Sequence, residues 1–257
     1  MIHRIRIQNF KSLRDVTVDL SPVTVFVGRS GTGKTNFASA IRFLRDYLAF
    51  GPQPNFPQQQ HLFKCATDPS GAIGFEVEFD VPGFTDRFVY ALTPRKGIAA
   101  TLRRINPTVV SLELDSLRDP QKVIVAHRLK DKILPLELRQ ESDGFRRFYA
   151  HLLAVYQTPP KQTLVFEEPE NGIYPGALEL LADEFKAAPD AGRGQVLLTT
   201  HSPALLDQFS SEHIRVVELV DLETRIGPLA EEQREALSEE LLHAGELLTV
   251  DPARLRA

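Results

Sequence analysis

The sequence contains almost no cysteine and no long apolar run. These absences argue against a disulfide-stabilised protein, a zinc-stabilised protein and a membrane-spanning protein. Among its 257 residues the one cysteine is Cys65, so an internal disulfide is excluded, and with no His-Cys cluster nearby a structural zinc site is unsupported. Cys65 is interpreted as a buried or incidental thiol. No stretch approaches the roughly 18 to 20 apolar residues of a membrane-spanning helix. The opening MIHRIRIQNF alternates polar and apolar residues, unlike a signal peptide. We therefore expect a cytoplasmic chain without direct membrane insertion.

The chain also lacks a strong overall charge, but its charges are unevenly distributed around the net value of −4. Residues 1–50 carry eight Lys and Arg against three Asp and Glu, and residues 94–150 carry twelve against seven. The later segments are acidic. Residues 151–220 carry four Lys and Arg against ten Asp and Glu, and residues 221–257 carry four Lys and Arg against nine Asp and Glu. The basic segments 1–50 and 94–150 are candidates for contact with DNA, although mixed charges on a solvated surface are the commoner explanation.

Hydrophobic periodicity predicts an α/β fold. Alternation over residues 1–20, with a polar turn at 12–15, predicts an antiparallel hairpin, and the apolar run 23–27 predicts a buried strand. A helix is expected next, because Phe37, Ile41, Leu44 and Leu48 recur at helical spacing. From residue 144 onward the order is helix, strand, helix, strand, in FRRFYAHLLAVY, TLVF, PGALELLADEFKAA and QVLLTT. Such alternation builds parallel βαβ units.

The middle and the end of the sequence are less regular. Residues 51–69 are rich in proline and glutamine and predict an irregular connector. Alternation at 75–81 and 88–92 predicts a second hairpin, whereas residues 94–140 give weak signals. The tail after Asp221 is interpreted as a terminal helix and a capping segment.

A glycine-rich loop follows the buried strand. The sequence GRSGTGKT fits the pattern G-x-x-x-x-G-K-[ST] without a mismatch and lies between a strand and a helix, as phosphate binding requires. Lys34 is expected to reach the β- and γ-phosphates, and Thr35 to offer a hydroxyl to Mg²⁺. A chance lysine in a glycine turn is the alternative, which the flanking strand and helix disfavour. The predicted nucleotide contacts are Gly28, Arg29, Ser30, Gly31, Thr32, Gly33, Lys34, Thr35 and Asn36.

Two adjacent acids end the strand predicted at TLVF. Glu167 and Glu168 alternate faces at the carboxyl end of this strand, where α/β sites form. One carboxylate can therefore face Mg²⁺ while its neighbour faces the γ-phosphate as a general base. Solvated acids at a strand end are the ordinary alternative, and the upstream loop favours the functional interpretation.

These motifs together resemble the ABC-type ATPase heads of the SMC/RecF/OLD group. The resemblance rests on the glycine loop followed by Asn36 and on three later stretches, ESDGFRRFYAHLLAVY, FEEPENGIYP and QVLLTTHSPALLD. It implies a P-loop NTPase fold of ABC type, with a largely parallel central sheet flanked by helices and an N-terminal antiparallel β portion. We predict one domain over 1–257. It has a β hairpin and the P-loop in 1–50, a variable insert of β and irregular structure in 51–140, the signature, Walker B strand and switch histidine in 141–220, and a C-terminal helical cap in 221–257.

The resemblance also implies roles for individual residues. Glu167 matches the metal-associated acid, Glu168 the catalytic glutamate and His201 the switch histidine that contacts the γ-phosphate. Ser142 and Gly144 match the signature residues that contact the nucleotide of a partner head, and Asn171 and Gly172 match the loop that faces the partner. Simpler explanations exist for two of these segments, because Ser142 and Asp143 are good helix caps and His201 begins a His-Ser-Pro turn.

The sequence departs from the family at two points. The family has aspartate where this chain has Glu167, and its glutamine loop has no clear equivalent among Gln53, Gln58, Gln59 and Gln60. The first hypothesis is an ATPase that closes as a homodimer around two ATPs and acts on DNA in repair, chromosome maintenance or phage defence, with a separate effector such as a nuclease. The alternatives are the ATPase subunit of a membrane transporter and a regulatory ATP-binding module with little hydrolysis.

Overall fold

The computed structural model describes residues 1–50, 63–69, 71–79, 96–115, 122–157 and 159–256. The chain forms two compact units. The first comprises Met1–Gly83, Val165–Glu168 and Gln195–Ala257, and the second comprises Phe84–Leu164 and Pro169–Gly194. The division into one domain over 1–257 stays a prediction.

The N-terminal part of the first unit is an antiparallel sheet. Its strands are β1 (Ile2–Phe10), β2 (Leu13–Asp19) and β4 (Gly74–Phe79), in the order β2-β1-β4. Ile5 lies opposite Val18 and Ile7 opposite Val16, and all four are buried, which confirms the predicted hairpin. The turn is shorter than predicted because β2 already begins at Leu13. The predicted second hairpin is described for its first strand alone, which pairs with β1; residues 80–95 lie outside the described residues.

A five-stranded sheet forms the centre of the first unit, in the order β11-β10-β3-β9-β8. Strand β3 (Val23–Val27) pairs in parallel with β9 (Gln195–Thr199) and β10 (Ile214–Val220), and β11 (Glu223–Pro228) is antiparallel to β10. Strand β8 covers Thr163–Glu167. Every residue of β3 and β9 is buried, which explains their continuous apolar runs. The largely parallel sheet confirms the predicted fold class.

Helix α1 (Lys34–Phe50) follows β3 and packs its apolar face on the N-terminal sheet. The rings of Phe10 and Phe43 lie 5.3 Å apart, centroid to centroid. Leu48 is 76% exposed, so the predicted apolar face does not reach that far along the helix. The predicted helical cap at 221–257 opens with strand β11, whose Thr224 and Ile226 point inward, before helix α6 (Glu231–Ser238) begins.

The second unit contains a strand meander within the predicted β and irregular insert, where the sequence signals were too weak to define individual strands. Helix α2 (Lys96–Ile105) precedes an antiparallel sheet of β5 (Val109–Asp115), β6 (Lys122–Leu129) and β7 (Lys132–Glu137). Helices α3 (Asp143–Val155) and α4 (Leu178–Asp190) follow as predicted, with Pro175–Ala177 forming a 3₁₀ turn before α4. Short helical segments elsewhere are α5 (Pro203–Leu206) and the 3₁₀ turns Leu138–Gln140, Ser211–His213 and Ala244–Leu248. Within the described ranges, none of the helices has the length and apolar character needed to span a bilayer.

Candidate nucleotide site

The glycine loop occupies the carboxyl end of β3, where neighbouring strands leave no room for a side chain at Gly28 or Gly33. A Cβ on Gly28 would lie 2.1 Å from the Val217 carbonyl oxygen, and one on Gly33 would lie 2.1 Å from Thr224 Oγ1. Gly31 and Gly33 have φ angles of 80° and 110°, a region that favours glycine. The loop therefore has the backbone freedom that a phosphate cradle requires.

Lys34 begins α1 and turns back into the loop. Its Nζ donates to the carbonyl oxygens of Gly28 at 2.8 Å and Arg29 at 2.9 Å, and the side chain is buried. Burial lowers the pKa of Lys34, and the nearby Glu168 carboxylate opposes that shift. A phosphate oxygen can replace these carbonyl acceptors and give the ammonium a charged partner. Thr35, the next residue, is exposed.

Hydroxyl groups from distant strands hold the loop in place. Thr224 Oγ1 donates to the Thr32 carbonyl oxygen at 2.8 Å and lies 2.6 Å from Ser12 Oγ. Asn36, a predicted nucleotide contact, donates its side-chain amide to Ser12 Oγ at 2.7 Å. Sequence analysis missed Ser12 and Thr224, because isolated hydroxyl residues carry no motif.

The two acids at the end of β8 contact different partners, because the backbone turns at Glu168 directly after the strand ends. Glu167 Oε1 accepts a hydrogen bond from Arg42 Nη2 at 2.6 Å. Glu168 Oε1 lies 3.7 Å from His201 Nε2. Glu168 has a φ of 45°, unusual for a residue other than glycine, and its N–H donates to the Thr199 carbonyl oxygen at 3.0 Å. The structure thus brings the predicted base and the predicted switch histidine together.

His201 follows β9, the parallel neighbour of the P-loop strand. The next residue, Ser202, caps α5 by accepting from the Leu205 N–H at 3.2 Å. The predicted helix-capping turn is thus present, and the role of His201 as a switch histidine stays a prediction.

The signature segment lies in the second unit. Ser142 Oγ accepts from the Phe145 N–H at 3.3 Å and caps α3, as the simpler explanation predicts. A Cβ on Gly144 would lie 2.9 Å from the Gly172 carbonyl oxygen, so the contact with this loop requires a glycine. Neither observation tests a contact with a partner's nucleotide.

The residues present fit a nucleotide with a divalent metal. Beside the P-loop is a cavity of about 640 Å³, lined by loop residues, His201, the end of β10 and residues 247–248 and 251–254. Among the described residues no group of three or more His, Cys, Asp or Glu side chains could hold a metal by itself. Mg²⁺ in nucleotide sites is ordinarily bound by one or two protein side chains together with substrate phosphates. Thr35 and Glu167 are the residues that could complete such a set.

Comparisons with known proteins agree with this geometry. A family model described as "AAA ATPase domain" matches residues 1–80. A second model, described as "AAA domain, putative AbiEii toxin, Type IV TA system", matches residues 94–207. Solved SMC heads match in fold. One is an SmcHead bound to the C-winged helix domain of ScpA, with a TM-score of 0.60 and 12% identity over 91% of this chain and 99% of that one. The chain is a P-loop ATPase with the fold of an SMC head.

Two further SMC heads have the same fold as this ATPase. The SMC head domain from Thermotoga maritima matches with a TM-score of 0.52 and 15% identity, over 89% of this chain and 98% of that one. The Smc head derived from Pyrococcus furiosus, bound to the C-terminal domain of ScpA, matches with a TM-score of 0.58 and 11% identity, over 93% of this chain and 99% of that one. No curated protein matches the sequence. The resemblance seen in the sequence is therefore confirmed, and at such identities the structures establish the fold of this ATPase.

Proposed function

We propose that the chain is a cytoplasmic ATPase that closes as a homodimer around two Mg·ATP and acts as a switch on DNA or on a separate effector. The observation that carries the proposal is the placement of three groups. Lys34 turns into the P-loop, the Glu168 carboxylate is near enough to influence it, and His201 Nε2 lies 3.7 Å from that carboxylate. This placement supports a site that supplies both a cation for the phosphates and a base for the attacking water.

Each residue has a distinct task in hydrolysis. Lys34 and the loop N–H groups bind the phosphates, and Glu168 accepts a proton from the attacking water. His201 contacts the γ-phosphate and orients the Glu168 carboxylate. Thr35 and Glu167 would hold Mg²⁺, which would neutralise charge on the phosphates when bound. The strained backbone of Glu168 supports its catalytic role, because strain of this kind concentrates at active sites.

Dimerisation is proposed from the signature. Ser142 and Gly144 lie at the N-terminus of a helix of 13 residues, where N–H groups and the helix dipole attract an anion. The capping bond of Ser142 does not exclude this role, since the hydroxyl can donate to a phosphate while it accepts from Phe145. Each ATP would then be completed by the partner's signature.

Contact with DNA is proposed for the second basic segment more than for the first. Within 1–50 the arginines are largely neutralised, as Arg4 pairs with Asp19, Arg6 with Asp15 and Arg14 with Glu223. In 94–150, three basic residues cluster at the β6–β7 turn and form no ion pair within the described residues: Arg128, Lys130 and Lys132. This turn is the better candidate for phosphate contacts.

Two variants test the proposal together. Glu168→Gln should reduce ATP hydrolysis by roughly 10²–10⁴-fold while ATP stays bound, because the base is lost and the phosphate contacts remain. Lys34→Ala should instead abolish most ATP binding in calorimetry, since a charged contact to the phosphates is removed. A Glu168→Gln protein that hydrolyses at the wild-type rate would place the base elsewhere, and unchanged ATP affinity of Lys34→Ala would refute the site.

A further inference from the structure

Arg42 of helix α1 contacts Glu167, the acid at the carboxyl end of strand β8. Arg42 Nη2 lies 2.6 Å from Glu167 Oε1, with the two side chains 58% and 29% exposed. In the described parts of the chain this is the one ion pair that Glu167 forms. The contact joins the helix that begins at the P-loop lysine to the acid proposed to hold the metal.

Stability alone gives little reason for this contact. An ion pair as exposed as this one contributes little to folding, because water screens both charges. It can nevertheless fix orientation, because the guanidinium is planar and always charged. The hydrogen bond to Oε1 restricts rotation of the Glu167 carboxylate.

The contact with Arg42 also gives a physical reason for a glutamate, and not a shorter acid, at position 167. Glutamate is one methylene longer than the aspartate that the resemblance leads one to expect. The extra methylene extends the carboxylate away from the strand, toward the helix that carries Arg42. A shorter acid would withdraw its oxygens from the guanidinium.

We infer that Arg42 is a positioning residue for the metal-binding carboxylate of Glu167. The inference rests on the proposed metal role of Glu167. Residues that orient a metal ligand without touching the metal typically change metal affinity or activity by about 10- to 100-fold when they are removed. Arg42 should therefore matter for Mg²⁺ and not for the nucleotide itself.

The experiment separates metal from nucleotide. Calorimetry gives the affinity for ATPγS with excess Mg²⁺ and with EDTA, and the ratio of the two reports the metal contribution. Arg42→Ala should lower this ratio about tenfold or more and leave the affinity in EDTA unchanged. Arg42→Lys should restore part of the ratio, because it keeps the charge. Arg45→Ala is the matched control, since Arg45 lies on the same helix and pairs with Asp46; its ratio should stay at the wild-type value.

Variants of Glu167 complete the test. Glu167→Asp should lower the ratio, and adding Arg42→Ala to it should have little further effect, because the contact is already lost. A wild-type ratio in Arg42→Ala, or an equal loss of affinity with and without Mg²⁺, would overturn the inference. If Glu167→Gln lowers the ratio and Arg42→Ala does not, the metal role stands and the positioning role fails. If Glu167→Gln leaves the ratio unchanged, both fail.

Discussion

Glu168 has an unusual backbone conformation for the residue proposed as the general base. Its φ of 45° costs about 1–3 kcal/mol for a residue with a side chain. The hydrogen bond from its N–H to Thr199 ties this conformation to the neighbouring strand β9. The turn at Glu168 also separates the directions of the two adjacent carboxylates, one of which contacts Arg42 and the other of which lies near His201.

A second single residue, the partly buried His151, is expected to make the stability of the protein depend on pH. Its Nε2 lies 3.1 Å from the Pro169 carbonyl oxygen, and burial lowers its pKa below the usual 6.5, with Arg147 acting in the same direction and Glu170 in the opposite one. The unfolded chain therefore takes up a proton near pH 6.5 that the folded chain resists. The contribution of neutral His151 to the free energy of unfolding is complete above pH 6.5 and is lost as the pH falls below 6.5 and through the lowered pKa of the folded state.

Urea unfolding at pH 7.5 and pH 5.5 measures this effect. His151→Gln should lose less stability between the two values than the wild type, while the exposed control His3→Gln should match the wild type. An equal loss in His151→Gln would show that this histidine does not contribute to acid sensitivity.

At the scale of elements, helix α3 allows its cap and its proposed signature role to be separated. Ser142→Ala should destabilise the protein by about 1 kcal/mol, because the Phe145 N–H loses its acceptor. Ser142→Asp keeps a good cap but places a carboxylate where the partner's γ-phosphate would bind. We expect Ser142→Asp to unfold at the wild-type urea midpoint while its ATPase activity falls at least about tenfold, from charge repulsion. Full activity in Ser142→Asp would leave capping as the whole role of this residue.

The elements differ in how well their sequence predicts them. The β1–β2 hairpin and strand β3 were predictable because their burial follows the sequence pattern directly. Strand β7 was not, because it is an edge strand that contains Pro135 and is mostly exposed, so that no alternation marks it. Strand β11 is six residues long and ends in Gly227 and Pro228, which read as a turn.

The residues of the candidate site also differ in how well the sequence predicts them. Lys34, Glu168 and His201 follow from local motifs, because each lies at the end of a buried strand or at the start of a helix. Ser12, Arg42 and Thr224 could not be predicted, because they reach the site from elements distant in sequence and each is a common surface residue type. Their part in the site becomes visible only from the hydrogen bonds that they form in the folded chain.

At the scale of the whole molecule, the proposed dimer predicts complementation between two inactive variants. Lys34→Ala removes one half of a composite site and Ser142→Arg the other half. A mixed dimer then contains one site with both halves intact and one with neither, so it should recover up to about half the wild-type activity if the sites are independent. Each variant alone should stay inactive.

Light scattering of Glu168→Gln provides the matching measurement, because bound and unreacted ATP should hold the dimer closed. A protein that stays monomeric at saturating ATP, with a wild-type specific activity that does not rise with protein concentration, would contradict assembly of the site from two subunits.

The hydrogen bond from Thr224 to the P-loop carbonyl of Thr32 has a consequence for synthesis of the chain. The complete phosphate-binding motif is synthesised first. Strand β10, which pairs with the P-loop strand, and β11, which carries Thr224, follow much later, since Thr224 lies 192 residues after Thr32. A nascent chain without them has the motif but lacks the contacts that shape it. Nucleotide binding should therefore begin only after β11 has left the ribosome, well after the motif itself has been made.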